Sequence, residues 1–303
     1  MNTVERANQD YYDRVSQIYD RKHNISRDDF SVFVRQIARL CEAPIQGMKV
    51  LDCGCGTGRG AIKFALLGNA VVAVDISENM GRACRHNALA EGLALQPGVC
   101  DCAKLPFSAE SFDVVTTSAA LHHMRDLEAS IREFWRVLRP GGRCLFIAEP
   151  KQALIRPAWM RRIKERLSAR YDREAVGLPA SPVDPDMYIF ALDGFQEALG
   201  QLGFSNIRTD CFFTLTSVYR DLIFYRLHDL SLRNALYRFC SRIDYGALAW
   251  LPSTCKSLFT MMAEKTSRPS AAPIRVERFA AASSLVPRPP NSAGLGRHNR
   301  RPL

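Results

Sequence analysis

The stretch Asp52-Cys53-Gly54-Cys55-Gly56-Thr57-Gly58-Arg59-Gly60, directly behind the apolar run Met48-Lys49-Val50-Leu51, constrains this chain more than any other. Val50 and Leu51 read as the end of a buried strand, and glycine at every second position leaves the turn after it too bare for side chains to shield its backbone. Uncovered N–H groups at the head of a following helix suit a nucleotide-type cofactor. The spacing narrows the choice. A dinucleotide fingerprint reads G-x-G-x-x-G, whereas Gly54, Gly56, Gly58 and Gly60 read G-x-G-x-G-x-G.

The segments that follow fit one nucleotide-binding unit. Val71-Val72-Ala73-Val74-Asp75-Ile76-Ser77 ends a second strand on an acidic residue about 20 residues beyond the glycines, where a carboxylate accepts hydrogen bonds from ribose hydroxyls. Asp75 is the candidate; the competing reading makes it the N-cap of the next helix, a role Ser77 can fill instead. Val99-Cys100-Asp101-Cys102-Ala103-Lys104-Leu105-Pro106-Phe107 comes next, then a fourth strand over Ser111–Ser118. Phe134–Ile147 reads as a helix, a Pro140-Gly141-Gly142 turn and a fifth strand.

In this order the segments resemble the class I S-adenosylmethionine-dependent methyltransferases, over residues 48–150. The resemblance implies an α/β, Rossmann-like fold with a seven-stranded, mostly parallel sheet whose last strand is antiparallel. It implies S-adenosyl-L-methionine as cofactor, with Asp101 and Cys102 bracketing the adenine. The full contact set it implies is Asp52, Gly54, Gly56, Thr57, Gly58, Asp75, Ile76, Asp101, Cys102 and Ser118. A non-catalytic protein binding the same cofactor, or an NAD-dependent oxidoreductase, is the alternative; the glycine rhythm argues against the second.

Leu121-His122-His123-Met124 follows the fourth strand, where donor and acceptor should meet. A sulfonium methyl needs chiefly alignment and exclusion of water, so His122 and His123 are candidates for a general base or simply shape the pocket floor. Glu149, at the end of the fifth strand, either reaches substrate or caps a turn.

The flanks read as additions to this core. Residues 1–47 form a helical lid: Tyr11–Asp20 resembles the amino-terminal helix of ubiquinone and menaquinone C-methylating enzymes, with Tyr12 and Tyr19 over the methionine end, or as packing residues. Phe30, Phe33, Val34 and Ile37 mark a second helix against the sheet. Residues 151–265 hold the last two strands, ending with Leu258–Lys265, and an apolar insertion of about 40 residues, too long for an ordinary loop. The insertion reads as a helical cap over the acceptor, or equally as a dimer interface.

Charge is local rather than global. Residues 267–303 hold seven Arg against one Glu, and residues 151–175 hold eight Lys and Arg against three acidic residues, so the remainder of this +10 chain is near neutral. Residues 266–303, rich in Pro and Arg, read as a disordered tail. A basic helix from Pro157, with Met160, Ile163, Leu167 and Tyr171 on one face, is either a solvated face, an acceptor entrance or a contact for an anionic bilayer. No Asn-Pro-Pro-Tyr-type signature follows the fourth strand, so specific nucleic-acid recognition is not expected; the acceptor should be small or lipid-like, O- or C-methylated. No run of about 18 apolar residues occurs, the start lacks a signal peptide's apolar core, and the ten cysteines fall mostly on core elements. These features suggest a reduced, cytoplasmic protein, either free or in peripheral contact with a membrane, as monomer or homodimer. The pairs Cys53/Cys55 and Cys100/Cys102 should approach one another; their spacing is not that of common zinc sites, and no metal is expected.

Overall fold

In a computed structural model of the chain, the described residues are 12–14, 16, 19–20, 30–152, 159–160, 162–163, 166–167, 170, 188–223, 226–227, 230–266 and 280–282. The basic helix expected from Pro157 lies largely outside them, as does the tail apart from residues 266 and 280–282.

β1 (Lys49–Cys53) is buried from Val50 onward, as a strand covered by helices on both faces must be. It lies between β2 (Ala70–Asp75) and β4 (Phe112–Ser118), parallel to both. β3 (Gly98–Val99) flanks β2 and β5 (Leu138–Pro150) flanks β4, again in parallel. β8 (Leu258–Lys265) runs antiparallel between β5 and β7 (Phe204–Phe212). The seven-stranded order is β3-β2-β1-β4-β5-β8-β7, so the antiparallel strand expected last in sequence is second from the edge. The chain winds outward from β1 to β3, then resumes at β4 on the other side of β1. That reversal opens a crevice at the carboxyl ends of β1 and β4, where this fold class holds ligands.

Side-chain parity builds the two faces. Val50, Val114, Leu145 and Met262 join Phe33, Ile37 and Leu40 of α1 (Phe30–Cys41) and Phe64 of α2 (Arg59–Leu66). Their neighbours Leu51, Val115, Phe146 and Met261 point the other way, to Phe134 of α4 (Leu127–Val137) and Phe195 of α5 (Leu192–Gln201). Alternation at period 2 makes adjacent residues serve opposite cores. Each fully buried Phe or Leu contributes about 1.5–3 kcal/mol. On the first face, α3 (Glu78–Ala90) sets Cys84 and Ala88 against Ala61 and Ala73.

The insertion between β7 and β8 is helical, as expected: α6 (Leu215–Leu222), α7 (Leu230–Tyr245) and a 3-10 turn at Ser253–Cys255. Buried Asp244 clasps it, accepting the amides of Thr214 (3.1 Å), Leu215 (2.7 Å) and Thr216 (2.8 Å). Those amides are the orphan donors at the start of α6, so the end of α7 caps the start of α6.

Within the tail read as disordered, β9 (Ala280–Ala282) pairs antiparallel with β6 (Tyr188–Phe190), a strand the sequence pattern did not suggest. Backbone hydrogen bonds need no large side chains, so three alanines pair once a partner edge is offered. Phe190, fully buried among Phe195 and Phe259, anchors that edge to the core.

Candidate cofactor and acceptor site

A cavity of about 270 Å³ opens at the carboxyl ends of β1, β2 and β4, and Gly54, Gly56, Thr57, Asp75, Ile76 and Asp101 line one end of it together with Cys102 and Ser118. The glycines differ in purpose. Gly54 and Gly58 have φ of +70° and +97°, and a Cβ would meet Ala120 Cβ and Cys84 Sγ, each at 2.8 Å. Gly56, at φ +52°, has nothing within 4 Å of where its Cβ would lie, so that position opens onto the cavity. Gly58 does not line the cavity; it starts α2 and lets the turn close over α3.

Asp75 faces this turn. Its Oδ2 accepts Gly56 N at 2.8 Å and its Oδ1 accepts Ser77 N at 2.9 Å. Ser77 Oγ caps α3 by accepting Met80 N, so the N-cap role falls to Ser77 and Asp75 is left to the cavity. Burial pushes the Asp75 carboxyl above its ordinary range, against the pull of the Ser77, Gly56 and Ile76 amides; Asp13 adds to the rise.

Asp52, expected as a cofactor contact, is not among the residues that line the cavity. It shares a strand face with Ala73 and Asp75 but lies deeper, beneath the start of α2, where Gly60 is glycine because a Cβ would come within 2.9 Å of Asp52 Oδ2. Neither carboxylate oxygen has a hydrogen-bond partner in full geometry; only the nearby Ala61 amide offsets burial, which raises the carboxyl to about 7.

At the adenine end expected for Asp101 and Cys102, Asp101 Oδ1 accepts Ala103 N at 2.9 Å, which folds the turn after β3. The two cysteine pairs approach one another, as expected, through Cys53 and Cys102. Cys55 meets Cys84 instead; burial and these contacts hold both Cys53 and Cys55 well above the ordinary thiol range. Such thiols are protonated packing groups, and among the described residues no set of three or more His, Cys, Asp or Glu is arranged for a metal.

The two histidines part company. His123 lines the cavity, edge-on to Tyr12 with centroids 5.6 Å apart, and Tyr12 in turn meets Tyr19 at 6.2 Å. His122 is turned inward, its Nδ1 2.6 Å from Glu149 Oε2. Glu149 is fully buried and also accepts the amides of Ala120, Leu121 and His122. Burial would raise its carboxyl; the charge and hydrogen bond of His122, with the Leu121 and Ala120 amides, outweigh that and hold it below the ordinary range. An ionised carboxylate only accepts, so His122 carries a proton on Nδ1. Of the two sequence readings for Glu149, the turn cap is the one realised.

Two carboxylates that the sequence reading did not single out clasp the glycine turn and α3. Asp20 accepts Thr57 Oγ1 and, at 2.9 Å, Asn87 Nδ2; Asp13 accepts Ser77 Oγ. Their signal was present in Tyr11–Asp20, seven residues apart on one helical face. The opposite end of the cavity is walled by Phe33, Phe212, Phe213, Tyr237 and Tyr245, with Gln36 Nε2 3.4 Å from Tyr245 OH. Tyr237 and Tyr245 come from α7, so the cap encloses this cavity.

Residues 51–146 match the profile of a family described as "Methyltransferase domain". A demethylmenaquinone methyltransferase of Clavibacter sepedonicus is 34% identical over 142 residues, covering 46% of this chain and 58% of that protein. A malonyl-[acyl-carrier protein] O-methyltransferase of Yersinia pestis is 31% identical over 163 residues, covering 52% and 57%. The chain thus matches a little over half the length of these relatives. Among solved structures, the [4+2]-cyclase SpnF superposes with a TM-score of 0.53 at 18% identity, over 89% of this chain and 98% of that one. A phosphoethanolamine N-methyltransferase 2 of Haemonchus contortus, solved with S-adenosylhomocysteine, gives 0.51 at 19% identity, over 78% and 53%. Residues 51–146 thus match a methyltransferase domain in sequence, and the solved structures share the fold that surrounds it.

Proposed function

We propose that the whole protein transfers a methyl group from S-adenosylmethionine to a small or lipid-like acceptor, at oxygen or carbon. The observation that carries this reading is the Asp75 carboxylate bonded to the amide of Gly56, with open space at Gly56 between them and the cavity. The fit is chemical as well as spatial: Gly54 and Gly56 present bare backbone, Asp75 offers carboxylate lone pairs to ribose hydroxyls, and Asp101 and Cys102 stand where an adenine edge would be read. Thr57, Ile76 and Ser118 complete that wall. When bound, the cofactor supplies an electrophilic methyl on a sulfonium with a neutral thioether leaving group.

The chain's own part is to bind, align and dry the site. Asp13 and Asp20 hold the first residues of the lid on the glycine turn and α3, bringing Tyr12 and Tyr19 over the cavity. The aromatic wall from β7 and α7 seats the acceptor and excludes water. His123 takes the acceptor proton; His122 is committed to Glu149 and stays in the wall. The lid over residues 1–47, the core over 48–150 and the cap over 151–265 are the working parts of this reading. Phe239 and Trp250, 60% and 78% exposed on the cap, supply an apolar surface for peripheral membrane contact or for a homodimer of a cytoplasmic protein; among the described residues no helix is long and apolar enough to cross a membrane.

Calorimetry with S-adenosylmethionine and its demethylated product tests the binding half; no heat from either would refute it. Methyl-labelled donor incubated with a lipid extract tests transfer, and His123→Ala should lower the rate at least about tenfold if a general base operates. A protein that binds both ligands but labels nothing would support the second reading, cofactor binding without methyl transfer, which the fold permits: SpnF, a [4+2]-cyclase, shares it.

A further inference from the structure

We propose that Glu149 is a positioning residue: by occupying both His122 Nδ1 and the amides of residues 120–122, it fixes where His123 stands in the cavity. The proposal rests on the methyl-transfer reading only for its activity arm.

Glu149 cannot itself serve the acceptor. A carboxylate offers about four lone-pair sites, and here Oε1 accepts Ala120 N (3.1 Å) and Leu121 N (3.0 Å), while Oε2 accepts His122 N (3.2 Å) and His122 Nδ1 (2.6 Å). Thr117 Oγ1 adds a long fifth contact at 3.4 Å. Every direction is spent on one loop, and that loop carries His123.

The backbone on both sides is bent to allow this. Ala119 and Ala148 have φ of +51° and +57°, left-handed values that strain a non-glycine residue and persist only where the surroundings impose them. Both line the cavity. The β5–β8 ladder is irregular between Phe146 and Glu149, and Ala119 N still reaches Ile147 O at 2.7 Å. Parallel pairing of β4 and β5 ends at Ser118 and Ile147; one residue later each strand turns aside, and Glu149 clasps the loop so formed.

The clasp reaches the donor side through two contacts. The His122 and His123 rings are 3.8 Å apart between centroids, so holding one limits the other. Gly54 must lack a Cβ because Ala120, whose amide Glu149 holds, would lie 2.8 Å from it. A shift of the loop therefore moves His123 relative to the glycine turn, and a displacement of order 1 Å costs up to about a hundredfold in rate.

The test reads the histidines directly, without ligand. Side-chain nitrogen NMR of the full chain should show His122 protonated on Nδ1 and shielded from exchange. Glu149→Gln and His122→Phe should shift the His123 ring signals and, with methyl-labelled S-adenosylmethionine and a lipid extract, lower label transfer at least about tenfold. His122→Asn, whose amide can donate in place of Nδ1, should regain most of it. If Glu149→Gln does not fold, the His122 pair of variants decides alone. Unchanged His123 signals in His122→Phe, or lowered melting temperature with transfer intact, would overturn the proposal. Should the native protein transfer no label, the NMR result still decides the positioning, while the methyl-transfer reading falls separately.

Discussion

The two ends of the cavity are built by different means. The glycine-turn end is made of backbone: three positive-φ glycines and one carboxylate, 19 residues along from Gly56, that accepts its amide, all within a contiguous stretch of chain. The aromatic end is made of side chains from α1, β7 and α7, brought together across more than 200 residues by contacts such as Gln36 to Tyr245. Backbone geometry fits one constant ligand and tolerates little substitution, whereas a side-chain wall changes its ligand by changing residues. The first end therefore suits a common donor and the second a particular acceptor.

Gly56→Val and Asp75→Ala strike the first end and should have the largest effect. A β-branched residue at φ +52° both strains the turn and fills the open position, and Asp75 loses charge-assisted hydrogen bonds worth about 1.5–3 kcal/mol each. Donor affinity by calorimetry should fall at least about a hundredfold. Retention of tight binding in either would erase the distinction between the ends.

Asp52→Asn probes the floor of the same end. A carboxyl raised on folding from its ordinary value to about 7 binds its proton more tightly when folded, so its contribution is intact below about pH 4 and is lost as pH climbs through 7. Urea titrations should show the native chain losing stability on this account over that window, by about 2–4 kcal/mol, and the Asn variant losing less. Glu149, held below its ordinary range, acts oppositely: its stabilisation is present above the unfolded carboxylate value and disappears as pH falls through the folded one. The Asn variant isolates Asp52 from that background.

Asp244→Ala addresses the second end. Three amides at the start of α6 lose their acceptor, at about 1–3 kcal/mol for buried groups left unpaired. The cap should loosen, lowering label transfer about tenfold while calorimetric donor affinity stays within about twofold. Equal losses in both would show that the ends are not separable. Asp20→Ala should have the smallest effect: with Thr57 and Asn87 released, the donor should dissociate about three- to tenfold faster by stopped-flow, since a partly exposed latch is worth about 1 kcal/mol.

Much of the fold was legible because its signals are local. Short apolar runs marked β1, β2 and β4, and glycine spacing marked the turn. Locality could not place Asp52, an acidic residue at a strand end; the position of α2 sets it beneath Gly60 and outside the cavity lining. Nor could it place residues 280–282, whose composition lacks any apolar drive but which find a backbone edge at Tyr188–Phe190. The histidine pair could be named from sequence yet not divided, because nothing near it announces Glu149, 27 residues on from His122.

By itself the amino-acid order determined the strand-turn-helix head, the carboxylate facing it and the succession of core elements, since each follows from torsional freedom and periodicity over a few neighbouring residues. The tertiary structure alone decided which histidine faces the cavity, which carboxylates line it and which are struts, and that α7 walls its aromatic end. Those outcomes depend on side chains meeting across large separations in the chain, and no local pattern encodes which way a buried group must point once its distant partner arrives.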